Sequence, residues 1–159
     1  MKQDQHTLLI PQKDILVDDP KLVDLCSLGV IAHVKQVLKT QGENLRILVT
    51  GLHRAKIMEV SQTEPYMAGC VESVLDQGAV DSVRGMALRR EAISVYSTYM
   101  ELAEQPVQVI QLKIMASDDC SFIADTIAQN SGIEFKEKCR LLSQLNTVKR
   151  LEMAEKLLK

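Results

Sequence analysis

The residue types that usually carry enzymatic chemistry occur in this 159-residue chain, but their spacing matches no familiar catalytic motif. The sequence contains no G-x-x-x-x-G-K-[ST] phosphate loop, no G-x-S-x-G nucleophile elbow and no H-E-x-x-H zinc helix. No C-x-x-C pair is present, which argues against a structural zinc site. The sequence therefore predicts no catalytic residue, no cofactor and no metal ligand, and an enzyme with an unrecognised site is the least favoured reading.

Three groups of polar side chains have simpler structural roles than ligand binding. His33 lies in an apolar strand pattern, where its ring is expected to cap an edge or meet a neighbour. The pair Asp118-Asp119 precedes an apolar helical run and is interpreted as an N-cap with negative charge, not as a metal site. The segment 89–91, Arg-Arg-Glu, is interpreted as a solvated helix face with opposing charges.

The first candidate binding residues follow a strand-forming run. Residues 45–50 alternate in the way that predicts a strand with one dry face, and Gly51 then allows a bend or bulge. Leu52, His53 and Arg54 come next and are expected in a basic turn. Such a turn either binds an acidic segment of a client protein or is a solvated loop, and the residues leave both open.

Tyr66 and Met67 are the second pair of candidate binding residues. They follow Pro65 at the start of a predicted strand, where partial exposure is expected. Methionine is flexible and polarisable and suits binding of varied apolar partners, although most of the seven methionines are better interpreted as core residues. The same strand start is a candidate sheet edge that accepts an extended peptide by strand addition.

Amino-acid composition favours some classes of protein and argues against others. Hydrophobic residues make up 46% and charged residues 25% of the chain, which is ordinary for a globular protein with a real core. The net charge is −2, so the chain lacks the positive potential that attracts nucleic acid. Aromatic residues make up only 3% of the chain, so few rings are available to stack on bases, and nucleic-acid binding is not expected. No apolar run predicts a membrane span or a signal peptide. The scattered cysteines indicate reduced, mostly buried thiols and a cytoplasmic location; they are Cys26, Cys70, Cys120 and Cys139.

The pattern changes near Gly78 and predicts an α+β chain with a β-rich part over 1–78 and a helical part over 79–159. The first part is predicted to form antiparallel strands in a curled sheet or partial barrel, with a hairpin turn at 40–43. The predicted strands are 7–10, 25–38, 45–49 continuing to 57–60, and 65–74.

Five apolar stripes follow at helical spacing and predict a five-helix subdomain. Pro106 is expected to separate the first two helices, and Asn146 is expected to cap the fifth. The stripes are Leu88, Ala92, Val95, Tyr99 and Leu102; Val107, Ile110 and Ile114; Phe122, Ile123 and Ile127; Phe135, Cys139 and Leu142; and Val148, Leu151 and Leu158.

Several segments, in order, resemble the amino-terminal domain of Lon-type ATP-dependent proteases. RILVTGLHRAKI at 46–57 is similar to the family's R-V-L-V-E-G-L-x-R-A-x-I, and residues 118–128 resemble D-D-P-x-R-L-A-D-x-I-A. Residues 146–151 are similar to D-V-x-x-R-L. Cys120 stands where the family usually has proline, so Ser117 or Asp118 is expected to cap the helix there. The family's opening strands are absent.

The resemblance implies a PUA-like sheet followed by helices and a non-catalytic domain that recognises unfolded or degron-bearing proteins and helps order a hexamer. The family's ATPase and serine–lysine protease modules lie on later parts of its chains. Missing opening strands would leave unpaired edges, so self-association through an edge is also expected. The alternative is a free-standing binding protein built on the same domain. The C-terminal helix ends in mid-pattern, which favours a larger protein.

Overall fold

A computed structural model describes residues 6–39, 45–78, 83–103 and 108–159. The chain divides into two compact units, Met1–Leu75 and Asp76–Lys159, which are considered separately. The first contains a four-stranded sheet and the second contains five helices, as the α+β pattern of the sequence predicts. The predicted hairpin turn at 40–43 and the predicted helix boundary at Pro106 lie outside the described residues.

The sheet of the first unit is open and antiparallel, and its strands follow one another in chain order, β1-β2-β3-β4. Only a short 3-10 helix at Leu22–Asp24 interrupts the loop between the first two strands. The predicted second strand begins four residues too early, at Leu25, and the predicted last strand begins three residues too early, at Pro65. The strands are β1 His6–Leu9, β2 Gly29–Lys39, β3 Leu45–Gln62 and β4 Ala68–Val74.

The long strand β3 joins two half-sheets. Its first half pairs with β2 and its second half with β4, and the two pairings overlap only at Arg54 and Ala55. The pairing of β3 with its neighbours skips three of its residues, Leu52, Met58 and Ser61, and each skipped residue marks a β-bulge. Bulges bend a strand and increase its twist, so β3 can serve two differently oriented neighbours.

Two expectations for β3 need correction. The bulge predicted around Gly51 is present at the next residue, but His53 and Arg54 lie inside the strand and not in a turn. The run before Gly51 has no dry face, because Ile47 and Leu48 are 52% and 53% exposed although their side chains point to opposite faces. Both faces of the β2–β3 ribbon are therefore open to solvent at its outer end.

The second unit is an α-helical bundle with its own core. Side chains from all five helices are buried together, and Ile114, Ile123, Ile127 and Leu151 have no exposed surface. These four residues were predicted as members of apolar stripes, as was the buried Ala92. The helices are α1 Val83–Leu102, α2 Gln108–Met115, α3 Cys120–Gln129, α4 Phe135–Ser143 and α5 Thr147–Lys156.

Other members of the predicted stripes point outward. In α1 the buried residues include Tyr96 and Met100, whereas Leu102 is 81% exposed. In α4 the buried residue is Leu141, whereas Phe135 is 45% exposed. Adjacent positions on a helix differ by only about 100°, so the neighbouring helices decide which part of a broad apolar face is buried.

Local capping of two helices follows its usual chemistry. Asn146 caps α5 as predicted, and its Oδ1 accepts a hydrogen bond from Lys149 N at 3.0 Å. The cap of α3 is Asp119, a member of the pair predicted to cap this helix, and not Ser117 or Asp118 as expected from the missing proline. Its Oδ1 accepts a hydrogen bond from Ser121 N at 2.8 Å. The neighbouring Asp118 instead makes an ion pair with Arg89.

Within the charged segment 89–91, Arg90 and Glu91 are exposed as predicted, but Arg89 differs from its predicted solvated state. The Arg89 side chain is only 18% exposed, and its guanidinium lies 2.9 Å from Asp118 Oδ1 and 2.6 Å from the Asp118 carbonyl oxygen. Glu91 pairs with Lys159 at 3.1 Å. This segment therefore connects α1 to the start of α3 and to the end of the chain within the bundle.

A buried arginine organises the start of the bundle. Arg150 has no exposed surface and donates hydrogen bonds to Gln144 O at 2.7 Å and Ser121 Oγ at 2.8 Å. Its guanidinium also pairs with the carboxylates of Asp76 and Asp125. A buried charge needs such partners, so this cluster ties the first residues of the second unit to α3 and α5.

The thiols are less buried than predicted. All four cysteines are reduced thiols, and Cys120 is buried while Cys26 and Cys139 are partly buried. Cys70, on β4, is exposed, which contradicts the expectation of mostly buried thiols. His33 does meet a neighbour as expected, because its ring centroid lies 5.5 Å from that of His6 on β1.

Candidate apolar groove of the first unit

The first unit contains a groove of about 470 Å³ on one side of its sheet. All four strands contribute to it, through residues 6–8 of β1, Ile31 of β2, Ile57 and Val60 of β3, and the first half of β4. Because β1 and β4 are the two outer strands of the order β1-β2-β3-β4, the sheet must curl for both to line one groove. We call this feature the seam groove.

The β3–β4 hairpin forms one wall of the seam groove. Tyr66 and Met67 lie at its rim, 68% and 41% exposed. Gln62 Nε2 donates a hydrogen bond to Tyr66 O at 3.1 Å, and Ser61 Oγ donates to Ala68 O at 3.3 Å. These two bonds hold the rim segment against the end of β3.

Gly69 allows the backbones of β3 and β4 to pack closely together in the same wall. A Cβ at this position would overlap the carbonyl oxygen of Glu59 on β3 and would lie 3.0 Å from Val60 Cα. Only glycine permits the two backbones to approach this closely. The close approach keeps Val60 and the rim on the same side of the groove.

Strand β1 and the residues after it form the opposite wall. His6, Thr7 and Leu8 line the groove together with Ile10. Gly29 of β2 allows β1 to pack closely, because a Cβ there would lie 2.5 Å from Leu9 O.

The chemistry of the seam groove is that of a neutral apolar binding surface. None of the lining residues that the structure describes is Asp, Glu, Lys or Arg, and His6 is the single histidine among them. Isoleucine, valine, leucine and methionine side chains dominate the walls, so burial of apolar surface is the available source of binding energy. Within the described residues, no three side chains of His, Cys, Asp or Glu are grouped to hold a metal ion.

The five residues predicted to bind a partner fall in two places. Tyr66 and Met67 lie on the groove rim. Leu52 is 50% exposed at its bulge, and His53 Nε2 lies 3.0 Å from Ser73 Oγ on β4. Leu52, His53 and the half-buried Arg54 are not among the groove-lining residues. The binding role of all five remains a prediction.

Most of the groove-lining residues were not predicted from the sequence to bind a partner. Ile57 and Val60 were recognised as strand residues, and Leu8 and Ile31 as parts of apolar strands, but none was proposed as a binding residue. Alternation identifies a strand's apolar face without showing whether another element covers it. The signal that did point here was the pair of large apolar side chains directly after Pro65.

Comparison with known proteins identifies the family. The model of the ATP-dependent protease La (LON) substrate-binding domain matches residues 1–159. The chain belongs to this family. Lon protease of Heliobacterium modesticaldum is 32% identical over 158 residues, covering 99% of this chain, and Lon protease of Brucella suis is 33% identical over 154 residues, covering 97%. The chain spans 19% of the length of each of these two relatives.

Solved structures show the same fold. The N-terminal domain of a Mycobacterium avium complex Lon protease superposes with a TM-score of 0.72 at 21% identity, covering 98% of this chain and 90% of that one. A Lon N-terminal domain protein from Xanthomonas campestris superposes with a TM-score of 0.58 at 12% identity, covering 92% and 73%. The Lon N-terminal fold is therefore an antiparallel sheet followed by helices here as well. Among the described residues, no helix is long and apolar enough to cross a membrane.

Proposed function

We propose that this Lon-family domain is a non-catalytic substrate-recognition module that binds unfolded or degron-bearing proteins for an ATP-dependent serine protease in the cytoplasm. The observation that carries the proposal is the seam groove, whose walls are apolar and uncharged in a domain of the LON substrate-binding family. Native proteins bury most of their apolar segments, whereas unfolded proteins offer them to such a surface.

The same features support weak and repeated binding. A groove of about 470 Å³ lies in the range of ligand pockets, but it has few polar groups to impose one orientation on a ligand. Flexible Met67 and exposed Tyr66 at the rim can adapt to different side chains. Weak binding suits a module that must release its client to a motor on another part of a protease.

A binding titration with matched variants tests this function. We expect a reduced and alkylated, permanently unfolded protein to bind in a fluorescence anisotropy assay, and the native form of the same protein to bind much less. Met67→Gln should weaken binding about fivefold, because it removes about 1 kcal/mol of apolar contact at the rim. Met58→Gln is the matched control, since Met58 is an exposed methionine of β3 outside the groove.

Two results would overturn the proposal. One is equal affinity for the unfolded and native forms, which would show that exposed apolar segments are not what the domain selects. The other is equal loss in Met67→Gln and Met58→Gln, which would place binding elsewhere. The variants Leu52→Ser and Arg54→Gln test the bulge of β3 as a second contact, and we expect a smaller loss there than at the rim.

We also propose that the outer end of the β2–β3 ribbon takes part in self-association, as an edge contact in a dimer or within the hexamer of a parent protease. Val37 and Ile47 are register partners there and are 49% and 52% exposed, and Leu38 and Leu48 are 47% and 53% exposed. Apolar side chains open on both faces of an edge ribbon favour pairing with another chain. Sedimentation velocity over a wide concentration range should show a dimer that Ile47→Lys weakens; a monomer at all concentrations would contradict this.

A further inference from the structure

The connection between β1 and β2 carries a second apolar surface, outside the seam groove. We call residues 13–24 the β1–β2 loop; none of them lines the groove. Large apolar side chains normally leave water, yet four of them are exposed here, and such clusters mark interaction surfaces. The exposed fractions are 69% for Ile15, 82% for Leu16, 49% for Leu22 and 74% for Val23.

Hydrogen bonds hold the two apolar pairs of this loop at one place. The first pair, Ile15 and Leu16, lies in a turn whose last carbonyl oxygen accepts a hydrogen bond from Gln12 Nε2 at 2.8 Å. The second pair belongs to the 3-10 helix Leu22–Asp24, whose last carbonyl oxygen accepts from Lys13 N at 2.7 Å. Because Gln12 and Lys13 are consecutive residues, the turn and the helix lie side by side and their apolar side chains form one surface.

Carboxylates flank both apolar pairs. Asp14 Oδ1 accepts a hydrogen bond from Leu16 N at 3.0 Å, so this carboxylate lies beside the turn. Asp24 Oδ2 accepts from Lys21 N at 2.9 Å, so this carboxylate lies at the start of the 3-10 helix. The remaining charged groups are two carboxylates and two ammonium groups, which give the loop a net charge of −2; they belong to Asp18, Asp19, Lys13 and Lys21.

We propose that the β1–β2 loop is a second recognition site of this domain, for client segments in which lysine or arginine residues flank apolar ones. This inference rests on the function proposed above and names a class of segment that the domain binds. Apolar side chains of the segment cover the two apolar pairs of the loop, and its cations meet the excess of carboxylates. The loop is ordered before binding, so little of the binding energy is lost in ordering it.

Charge favours such a client segment over a second copy of this chain. In a symmetric pair the same loop meets itself, so two surfaces of net charge −2 face one another and repel. The Lys13 ammonium already donates to Val23 O at 2.7 Å, which restrains one of the two cations that could offset this repulsion. An unfolded basic segment brings the opposite charge and loses nothing in this way.

A pair of labelled peptides tests the proposed class of segment. The probe has leucine and valine at its centre and lysines at both ends, and the matched peptide has glutamate in place of each lysine. In a fluorescence anisotropy titration at about 0.15 M salt, we expect the lysine peptide to bind about tenfold more tightly. The difference should shrink at about 1 M salt, because salt screens exposed charges.

Variants of the chain assign the binding to the loop. Leu16→Gln should weaken binding of the lysine peptide about fivefold, because it removes apolar contact at the turn. Leu102→Gln is the matched control and should change the affinity less than about twofold, since Leu102 is an equally exposed leucine, 81%, at the end of α1. Replacing the exposed Asp18 and Asp19 together by asparagine should reduce the preference for the lysine peptide about threefold.

Equal affinity for the two peptides, or equal effects of Leu16→Gln and Leu102→Gln, would overturn this second site. If either result appears while Met67→Gln still weakens binding of the unfolded protein, the recognition function stands and only the loop site fails. If neither the peptides nor the unfolded protein binds, the recognition function itself fails. A dimer that Leu16→Gln dissociates in sedimentation velocity, with peptide binding unchanged, would assign the loop to a second copy instead.

Discussion

Replacing Arg150 by methionine is the perturbation whose effect the structure determines most directly. The arginine has no exposed surface, and its donors reach Gln144 O, Ser121 Oγ and the carboxylates of Asp76 and Asp125. Methionine fills much of the same volume with an unbranched chain but donates nothing. The substitution therefore removes the charge and its hydrogen bonds while it keeps most of the packing.

The expected loss is about 3 kcal/mol of unfolding free energy. Removing one partner of a buried ion pair costs about 3–5 kcal/mol, chiefly because the remaining charge is left without a partner. The carboxylates of Asp76 and Asp125 are still 31% and 44% exposed, so water can hydrate them and the loss falls at the lower end of that range. A domain with about 5–15 kcal/mol of stability would remain folded but clearly weakened.

Urea unfolding followed by far-UV circular dichroism measures the difference, since the second unit supplies the helices. Arg140→Met is the matched control, because Arg140 is 67% exposed and pairs with Glu137 one turn earlier on α4. An exposed pair of this kind contributes well under 1 kcal/mol. If Arg150→Met and Arg140→Met shift the urea midpoint equally, the buried cluster does not stabilise the bundle and the reasoning is wrong.

Four further outcomes are expected. Gly69→Ala should cost about 1–3 kcal/mol, measured by chemical denaturation, because the added Cβ meets the rigid backbone of Glu59; full retention of stability would contradict this close approach. In native protein, the exposed Cys70 should react quickly with a thiol reagent, whereas Cys120 should react only after unfolding. Cys120 is buried, and burial raises the pKa of its thiol, so little reactive thiolate forms. Mass spectrometry of the labelled sites measures both reactions. Burial also raises the pKa of Tyr96 above its usual 10.0, so both groups favour the folded state while protonated. Stability should therefore be complete below about pH 9 and fall as the pH rises further, and a flat alkaline profile in urea titrations would refute it. Tyr96→Phe should change stability by less than about 1 kcal/mol or raise it, because the buried hydroxyl has no hydrogen-bond partner among the described residues; a larger loss by thermal unfolding would reveal a partner.

Much of the fold follows from local pattern. The alternation before Gly51, the helical stripes after the sheet and the cap at Asn146 predict strand, helix and boundary because each depends on residues close in sequence. Errors of a few residues arise at strand starts, as at Leu25 and Pro65, where apolar residues continue beyond the hydrogen-bonded ladder. The N-cap of α3 was predicted within the pair Asp118-Asp119, but the sequence did not single out Asp119 because three neighbouring polar residues all suit that role.

The groove could be predicted only at its rim. Tyr66 and Met67 attracted attention because large apolar side chains follow a proline, a signal that is visible in the sequence. Ile57 and Val60 look like ordinary core residues. The sequence predicts a curled sheet, but it does not show that β1 and β4 line one groove. That outcome depends on the bulges of β3, whose positions are set by pairing with two distant strands.

The sequence by itself determined the order of strands and helices and the Lon-type family. Tertiary structure decided which side of each helix is buried, that Arg150 is enclosed by carboxylates from distant segments, and that the outer strands β1 and β4 line one groove. The physical reason is that local periodicity orients a side chain only about its own helix or strand axis. Burial, charge pairing and a groove shared by several strands depend on which elements meet in space, and those contacts join residues far apart in the chain.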